Sequence, residues 1–579
     1  MHTFAWKLAN IDYPKRKFNT FFFFMINRIA LIIMLIIGAI IHIYSLSLAP
    51  ILTIPDSFAY LQMAHHLRNF SLEWIWTWWF WPLYSFFLAF WTLFSSSDYE
   101  GGKIINVILW VLSSLTLYHI GKRYLNLYYN LLLIFLFSIS SSLLYYKIHL
   151  LAENLYLPLF LLLILLFHRF LEKERWLNAL LMWLVLGAMY LTRGEAFIYT
   201  GPILIVFFIL SLLRFFSFWE MIKHTILLIV WWSILGFPYI YHLHSITWEW
   251  GLTNKWSSNI RQAILRGAEK MDDDGFEKAV WELDATKTKL KSGFVGWLKY
   301  EEATETYSFK EYLLSGKYNA LQTIEENQKK ILKETLPRIF LGNIINFSRD
   351  VHYPIGQNIW FLIATFIPIF FFLYGGIKML INREINLFFT VFPLFITAFL
   401  FFSLFFVLER YFIVFVPFFI IVMLYGCQYL FFSLSKLEIL KFIIFASFLI
   451  SLYWVGMYHF KETNNGSTYK IKQNVGKWVQ EHLSIAGREI KIMERWPIVT
   501  YYSGTKERWL TPYTNNIEDI IIYAKAHQID YLIADTLDFL TYRPELNNLL
   551  KPWYTYKWLK EVYSYTFWGN KVIVYKFIY

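Results

Sequence analysis

"IPDSFAYLQMAHHLRNF", residues 54–70, places the carboxylate of Asp56 just beyond the first strongly apolar stretch of the chain. Pro55 precedes the acid, and a helix-like run follows it. A proline at the first helical position and an acid in the first turn are typical of a helix start, so capping of an interfacial helix is one interpretation. The other is that this carboxylate serves chemistry at the mouth of a membrane span.

The composition is that of a membrane protein. Of the 579 residues, 57% are hydrophobic and only 16% are charged. The apolar blocks approach the roughly 20 residues that a helix needs to cross a hydrocarbon core of about 30 Å, whereas a β-barrel would show short alternating segments. We therefore expect a polytopic α-helical membrane protein with about 11 spans. The candidate spans are 26–46, 103–121, 127–146, 154–169, 177–193, 196–213, 225–243, 355–375, 386–405, 411–430 and 440–458.

The N-terminal region carries several Lys and Arg residues ahead of an apolar run that ends near Tyr44. A signal peptide and a membrane anchor share this charge asymmetry. The run is long enough to span, and Pro50 directly follows the small-residue stretch SLSLA, so we interpret it as an anchor. Cys427 is the only cysteine, which excludes an intramolecular disulfide and a cysteine zinc cluster.

Basic residues set the expected orientation. The formal net charge of the protein is +12, and many of its Lys and Arg residues lie in short loops beside the spans, where such residues fix topology rather than bind nucleic acid. A cytoplasmic N-terminus puts the following pairs and clusters on the cytoplasmic side: Lys122 with Arg123, Arg169 with Lys173 and Arg175, Arg214 with Lys223, Lys378 with Arg383, and Lys436 with Lys441.

The opposite side then receives the first loop 47–102, the insert 244–353 and the C-terminal region. A span at 80–97, in a stretch dense in Trp and Phe, would reverse every later crossing, so we expect helices in the headgroup region there. The expected domains are a transmembrane part, 1–460, and a soluble part, 461–579. We also expect the insert to rest partly on the membrane surface and to be mobile without substrate.

The C-terminal region predicts a small α/β domain. IKQNVGKWVQEHLS (471–484) and NIEDIIIYAKAHQ (516–528) are helical in period, and IDYLIADT (529–536) is a short buried strand. EIKIME (489–494) and IVTYYSG (498–504) are strand-like, and the last residues alternate about a Gly-Asn turn as in a hairpin. The domain shows no glycine-rich phosphate loop and no nucleophile elbow, so we expect a lid or scaffold.

Charged side chains recur at the predicted extracytoplasmic ends of the spans. They lie in IPDSFAYLQMA with Asp56, HLLAENLYLPLF with Glu153, YLTRGEAFIYTGP with Arg193 and Glu195, and VLERYFIVFVPFF with Arg410 and Tyr411. Charges within apolar segments are costly and are functional candidates by default. Structural interpretations stay open, since Glu153 also suits a helix N-terminus and Arg410 also suits an interfacial anchor.

Spacing excludes two simple pairings among these residues. Arg193 and Glu195 are two apart, which on a helix points them in different directions, so we expect them to have different partners. A helix that begins at Asp56 turns His65 to its opposite face, so the sequence does not support a metal site there. Tyr60 stays on the side of the carboxylate.

In combination, these motifs resemble the GT-C glycosyltransferase superfamily, and within it the bacterial lipid A aminoarabinose transferases and protein O-mannosyltransferases. The resemblance covers residues 26–430 and, more loosely, the C-terminal region. Asp56 matches the essential acid of the family's first outer loop, and Glu153 matches an acid at the start of a later span. TRGE resembles the family's TRPE with Gly194 in place of the proline, and ERY followed by Pro417 resembles its late Arg-Tyr span.

The resemblance implies the GT-C fold and transfer of a sugar from a polyprenyl-phosphate donor. Asp56 would act as the base on the acceptor, and Glu153 would orient the acceptor or bind a divalent metal with Asp56, since some relatives use a metal and others do not. Several relatives carry a basic residue where this chain has Trp81, so phosphate binding must come from elsewhere. The expected phosphate ligands are Arg410, Tyr411, Lys147, His149 and Arg193, and the expected substrate contacts are Tyr60 and Glu195.

The resemblance does not identify the sugar. It allows a glycan, lipid A or a protein as the acceptor. It implies a bacterial inner membrane location, and we expect a monomer surrounded by membrane lipids. The alternative function is a transporter or a lipid-linked sugar flippase, in which intramembrane charges mark the substrate path, although the sequence shows no repeated halves. Transfer of an oligosaccharide to asparagine would require a Trp-Trp-Asp signature, which the soluble region lacks.

Overall fold

The computed structural model describes residues 20–48, 55–68, 81–247, 319–341, 359–433 and 467–579, apart from gaps of one to four residues within these ranges. The predicted span 440–458, most of the insert and the predicted domain boundary lie outside the described residues. The full count of spans, the division at residue 460 and the mobility of the insert therefore stay predictions.

The membrane part is a bundle of helices. In chain order these are α1 (Thr20–Leu48), α2 (Pro55–Arg68), α3 (Pro82–Thr92), α4 (Asp98–Gly121), α5 (Leu127–Ile139), α6 (Glu153–Glu172), α7 (Arg175–Thr192), α8 (Thr200–Leu212), α9 (Phe218–Thr247), α10 (Ala320–Lys330), α11 (Leu336–Leu341), α12 (Ile359–Ile381), α13 (Ile385–Ser403) and α14 (Val416–Ser433).

Seven described segments are long and apolar enough to cross a membrane by length and composition. They are Arg28–Leu46, Asp98–Gly121, Glu153–Glu172, Gly194–Leu212, Phe218–Ser245, Asn386–Ser403 and Ile413–Phe431. Shorter apolar helices occupy Pro82–Trp91, Leu127–Ile139, Trp176–Thr192 and Pro368–Ile381. The protein is thus a multi-span helical membrane protein, and every predicted span except 440–458 overlaps a described helix.

One boundary differs from the sequence expectation. The predicted span 127–146 ends as a helix at Ile139, where Ser140 turns out of the helical conformation. The serines of SISSS, residues 138–142, favour this end because serine side chains compete for backbone hydrogen bonds. Within the Trp-rich first loop, α3 spans 11 residues, which is short for a straight crossing.

Close contacts between small residues bring two of the helices together. α12 and α14 cross where Gly375 meets Gly426: a Cβ on Gly375 would come within 2.0 Å of the carbonyl oxygen of Val422. In a membrane, where lipid removes the hydrophobic drive between helices, such close backbone approach supplies much of the packing energy. At the centre of the core, the buried ring of Phe160 packs against Tyr199 and Phe415.

The C-terminal part is a small α/β domain. Its elements are α15 (Ser467–His482), β1 (Ile492–Met493), α16 (Ile498–Tyr502), α17 (Ile517–His527), β2 (Tyr531–Asp535), α18 (Thr536–Thr541), β3 (Leu559–Phe567) and β4 (Asn570–Phe577). The sheet order is β1-β2-β4-β3, with β1 parallel to β2 and the other neighbours antiparallel. The predicted helices, the strand IDYLIADT and the hairpin about Gly569 are confirmed.

One element of this domain was predicted wrongly: the strand-like IVTYYSG forms the short helix α16. The cause is tertiary, because the fully buried carboxylate of Glu494 accepts hydrogen bonds from the backbone N–H groups of Val499 and Thr500. These bonds satisfy N–H groups at the helix start, which β-rich local propensity cannot anticipate. Ile498 of the same helix is buried in the apolar cluster formed by α2, α3 and α4, so the domain docks on the first-loop helices.

Candidate active site

Four separate parts of the chain bring charged side chains to one place. Asp56 lies in the first turn of α2, and Glu153 is the first residue of α6. Arg193 lies between the end of α7 and a 3-10 turn at Gly194–Tyr199. Arg410 lies in a second 3-10 turn, Glu409–Tyr411, just before α14.

These side chains form a continuous chain of ion pairs, Asp56–Arg410–Glu153–Arg193–Glu195. Arg410 Nη1 lies 2.9 Å from Asp56 Oδ2, and its Nε lies 3.9 Å from Glu153 Oε1. Arg193 Nη1 donates to Glu153 Oε1, and its Nη2 donates to Glu195 Oε1 at 3.0 Å. The three acids and the late arginine that the sequence singled out therefore share one site. The net formal charge of these five side chains is negative, since three carboxylates face two guanidinium groups.

The expectation that Arg193 and Glu195 have different partners is wrong. Arg193 has extended backbone angles (φ −154°, ψ 123°), because α7 ends at Thr192 and a 3-10 turn follows. The two side chains are therefore not related by helical geometry, and Arg193 Nε and Nη2 both donate to the Glu195 carboxylate, at 3.3 and 3.0 Å. Arg193 also binds Glu153, forty positions away in the chain.

The two ends of the ion-pair chain differ in exposure. The side chains of Asp56 and Arg410 are 26% and 30% exposed, whereas those of Glu153 and Arg193 are 5% and 9% exposed. Burial lowers the pKa of the Arg410 guanidinium, but the neighbouring carboxylates of Asp56 and Glu153 outweigh burial and raise this pKa. Arg410 is thus a permanent cation on the accessible side of the site.

Tyr411 and Tyr60, the two tyrosines predicted from the sequence, have different contacts at the site. Tyr411 lies beneath both guanidinium groups, with its ring centre 5.4 Å from Arg193 Cζ and 6.0 Å from Arg410 Cζ. Its ring stacks on Phe402 at 4.0 Å between centroids, which fixes its position. Tyr60 is buried and packs edge-on against Tyr84. Such cation–π and aromatic contacts restrict the guanidinium positions without adding charge.

Lys147 and His149 are the other two residues that the sequence predicted as phosphate ligands. Lys147 Nζ donates to the carbonyl oxygen of Phe137 at 3.2 Å and lies over the Phe137 ring, and in the described residues no carboxylate pairs with it. Its ammonium group therefore points toward α5 rather than toward the ion-pair chain. His149 is buried, and its backbone carbonyl is held by the side-chain amides of Asn106 and Asn154.

The sequence reasoning missed these two asparagines. Asn106 Nδ2 donates to the carbonyls of Lys147 and His149, and Tyr84 Oη donates to its Oδ1 at 2.9 Å. Asn154 Nδ2 donates to the carbonyls of His149 and Leu151. Together they fix the turn that delivers Glu153 to the site. The sequence shows each asparagine within an apolar segment. An amide side chain there is costly unless its hydrogen bonds are satisfied, and this cost is the signal that could have identified both residues.

The two departures from the family motifs contact each other. Gly194 replaces the proline of TRPE, and Trp81 replaces a basic residue; the indole ring lies directly on the glycine. A Cβ at position 194 would come within 2.1 Å of Trp81 Cζ2. Trp81 also packs against Tyr239 at 5.9 Å between ring centroids. The bulky ring and the missing side chain therefore form one packing unit next to Arg193.

The residues present do not fit a divalent metal. One oxygen of each of the carboxylates Asp56 and Glu153 binds a guanidinium group, of Arg410 and Arg193 respectively, so two positive charges already lie where a divalent cation would have to enter. In the part of the chain that the structure describes, no group of three His, Cys, Asp or Glu side chains is placed to hold an ion.

Comparison with known proteins gives a consistent result. Residues 81–240 match the sequence family described as dolichyl-phosphate-mannose-protein mannosyltransferase. This range includes Glu153, Arg193 and Glu195, whereas Asp56 and Arg410 lie outside it. No curated protein sequence matches the chain significantly.

Solved structures are similar in fold over most of the chain. ArnT from Cupriavidus metallidurans in the apo state has a TM-score of 0.56 at 10% identity, over 94% of this chain and 97% of that one. The same ArnT bound to undecaprenyl phosphate has a TM-score of 0.51 at 10% identity, over the same shares of the two chains. AglB, the oligosaccharyltransferase of Archaeoglobus fulgidus in complex with an inhibitory peptide and a dolichol-phosphate, has a TM-score of 0.52 at 13% identity, over 94% and 74%. The sequence match and the likeness in fold agree, and the chain has the fold of the GT-C superfamily of membrane glycosyltransferases.

Proposed function

We propose that the protein transfers a sugar from a polyprenyl-phosphate carrier to a hydroxyl or amine acceptor, with Asp56 as the general base. The observation that carries this proposal is the ion pair of Asp56 with Arg410, which joins an accessible carboxylate to an accessible, permanent cation. ArnT and AglB, which are similar in fold, are described in complex with undecaprenyl phosphate and dolichol-phosphate respectively, which supports a lipid-phosphate donor.

The reaction breaks the bond between the anomeric carbon and the phosphate oxygen, and the phosphate leaves with the electron pair. Arg410 stabilises the leaving anion by charge-assisted hydrogen bonds. The acceptor oxygen or nitrogen forms the new bond to the anomeric carbon and gives its proton to the Asp56 carboxylate. The leaving group needs no general acid, because the phosphate leaves as a stable anion.

The ion pair also couples the two substrates. While Arg410 binds Asp56, its guanidinium group occupies the carboxylate oxygen Oδ2 and keeps it from the acceptor. A donor phosphate competes for the same guanidinium, so donor binding draws Arg410 away from Asp56 and releases the carboxylate to act as base. Glu153, 3.9 Å from Arg410 Nε, holds the arginine within reach of both partners.

The buried end of the ion-pair chain has a positioning role. Arg193 is enclosed by Glu153 and Glu195, so we assign it to orienting Glu153 rather than to binding phosphate. Tyr411 and Tyr60 support the arginines and the base from the protein side. The basic clusters of the short loops favour a cytoplasmic N-terminus. The active site and the C-terminal domain then lie on the extracytoplasmic side. The membrane that we propose is the bacterial inner membrane.

The test is sugar transfer by the full chain in liposomes, with undecaprenyl-phosphate-linked sugars as donors and a membrane glycolipid extract as acceptor. Asp56→Asn keeps the size of the side chain but removes the base, so the transfer rate should fall about 10²- to 10⁴-fold. The matched control is Glu172→Gln, which breaks an Arg–carboxylate pair at the other end of α6 and should leave transfer unchanged.

Undiminished transfer by correctly inserted Asp56→Asn would refute the role of base. Failure of the wild-type protein to release undecaprenyl phosphate from any donor of the panel would refute the proposed reaction.

A further inference from the structure

A cavity of about 180 Å³ lies between α2 and the C-terminal domain, and it is partly open. Phe58, Gln62 and His65 of α2 form one wall, and Thr500, Tyr501 and Thr505 of the C-terminal domain form the other. The five side chains of the ion-pair chain do not line it. Its volume is several times the roughly 30 Å³ that one water molecule occupies in the liquid, so a small polar ring fits.

The wall on α2 is a continuous helix face. Phe58, Leu61, Gln62 and His65 follow the spacing i, i+3, i+4, i+7, which places them on one side of a helix. Asp56 belongs to the same helix but lies about 180° around the axis and about 14 Å along it from His65. The cavity and the proposed base are therefore held by one rigid element and face different sides of it.

The opposite wall is also held in place. Glu494 accepts hydrogen bonds from the N–H groups of Val499 and Thr500, and Thr505 Oγ1 donates to the Thr500 carbonyl at 2.9 Å. Gly504, which also lines the cavity, has φ of +74°, a conformation that a side chain would strain. The wall is thus preformed by buried hydrogen bonds rather than assembled by a ligand.

The chemistry of the lining favours a neutral, hydroxylated ligand. Asp98 lines the cavity, but both of its oxygens are bound by Arg68 at 2.8 Å, so its charge is compensated. The side-chain amide of Gln62 can exchange hydrogen bonds with hydroxyl groups, and the Thr505 hydroxyl oxygen, which donates its proton to the Thr500 carbonyl, can accept one. Tyr501 and Phe58, which meet edge to face at 5.3 Å, offer apolar ring surface to the C–H face of a sugar.

We infer that this cavity is a distal subsite for an extended glycan acceptor, and that it holds a neutral sugar unit remote from the reacting group. The inference rests on the proposed function and deepens it. Because the cavity and Asp56 face opposite sides of α2 and are separated along its axis, an acceptor that reaches both must contain more than one sugar ring. Binding energy from the remote ring would position the reacting hydroxyl at the base.

The test is saturation-transfer NMR on the full chain in detergent, with a panel of neutral mono- and disaccharides as probes. We expect at least one disaccharide to receive saturation from the wild-type protein. Gln62→Trp, which fills the cavity, should abolish that transfer, and Gln62→Leu, which keeps the volume but removes the amide, should weaken it about tenfold in Kd.

The matched control is His66→Trp, because His66 lies on the same helix but does not line the cavity. This variant should bind as the wild type does, and size-exclusion profiles should show that all three variants fold. Equal binding by wild type and Gln62→Trp, or no binding of any sugar in the panel, would overturn the subsite. Either result would leave the donor reaction at Asp56 intact, because release of undecaprenyl phosphate is measured separately.

Discussion

The two ends of the ion-pair chain contain the same chemistry in different surroundings. At one end, Asp56 and Arg410 form a single contact at 2.9 Å and are more than a quarter exposed. At the other end, Arg193 is enclosed by Glu153 and Glu195 and almost excluded from solvent. An exposed pair gains little from its Coulomb attraction because water competes with it, whereas a buried pair cannot be separated without leaving an uncompensated charge.

This difference separates reaction from support. The exposed pair can exchange partners at small cost, which suits a site where a phosphate and an acceptor must displace existing contacts. The buried pairs cannot exchange in this way, so they fix the positions of α6, the end of α7 and the 3-10 turn before α8. One continuous network thus contains a movable end and a rigid end.

The largest expected effect is on stability at the rigid end. Arg193→Met leaves the carboxylates of Glu153 and Glu195 buried without their shared cation, so the free energy of unfolding should fall by about 3–5 kcal/mol. Unfolding by SDS titration in mixed micelles measures it. The matched control is Arg123→Met, which removes an exposed pair with Glu172 and should cost less than about 1 kcal/mol. Equal losses in both variants would remove the distinction between the two ends.

The next effect is on activity at the movable end. Arg410→Met should reduce kcat for sugar transfer about 10²- to 10³-fold, because the leaving phosphate loses its charge-assisted donors. Stability should change little, since the pair with Asp56 is partly exposed. Arg410→Lys, which keeps the charge but not the forked geometry, should fall between wild type and Arg410→Met. A drop in stability as large as that of Arg193→Met, with transfer retained, would contradict this assignment.

The smallest effect concerns the packing unit next to Arg193. Gly194→Ala places a methyl group against the indole of Trp81, so overpacking should cost about 1–3 kcal/mol. Trp81→Leu should relieve that strain, and the double variant should be more stable than the sum of the single changes predicts. Unfolding free energies of the four proteins form a double-mutant cycle. Additive losses would show that the ring moves aside freely.

The site shows which of its features local sequence patterns can predict. Asp56, Glu153 and Arg410 were found because charges at the ends of apolar spans are rare and costly. Their pairing was not predictable, since Asp56 and Arg410 are 354 positions apart and Arg193 and Glu153 are 40 apart. Lys147 fitted the same pattern, yet its ammonium group turns toward α5 and an aromatic ring. Sequence position alone does not give the direction of a side chain.

The secondary structure of the C-terminal domain shows the same limit of local sequence patterns. The hairpin about Gly569 and the strand at Tyr531–Asp535 follow from alternation and turn residues, which act within a few positions. IVTYYSG instead becomes helical because a buried carboxylate, Glu494, binds the first N–H groups of α16. That contact exists only after the domain has folded.

The sequence by itself determined a helical membrane protein, the approximate places of the spans that the structure describes, a C-terminal α/β domain and the short charged motifs at the span ends. These follow from hydrophobic period and the cost of charge in lipid, which are local properties of the chain. The tertiary structure alone decided that the motifs join in one network, which of its ion pairs is open to substrate, and that α2 carries the base on one face and a cavity on the other. Those outcomes depend on which distant side chains meet, and only the packed fold fixes such meetings.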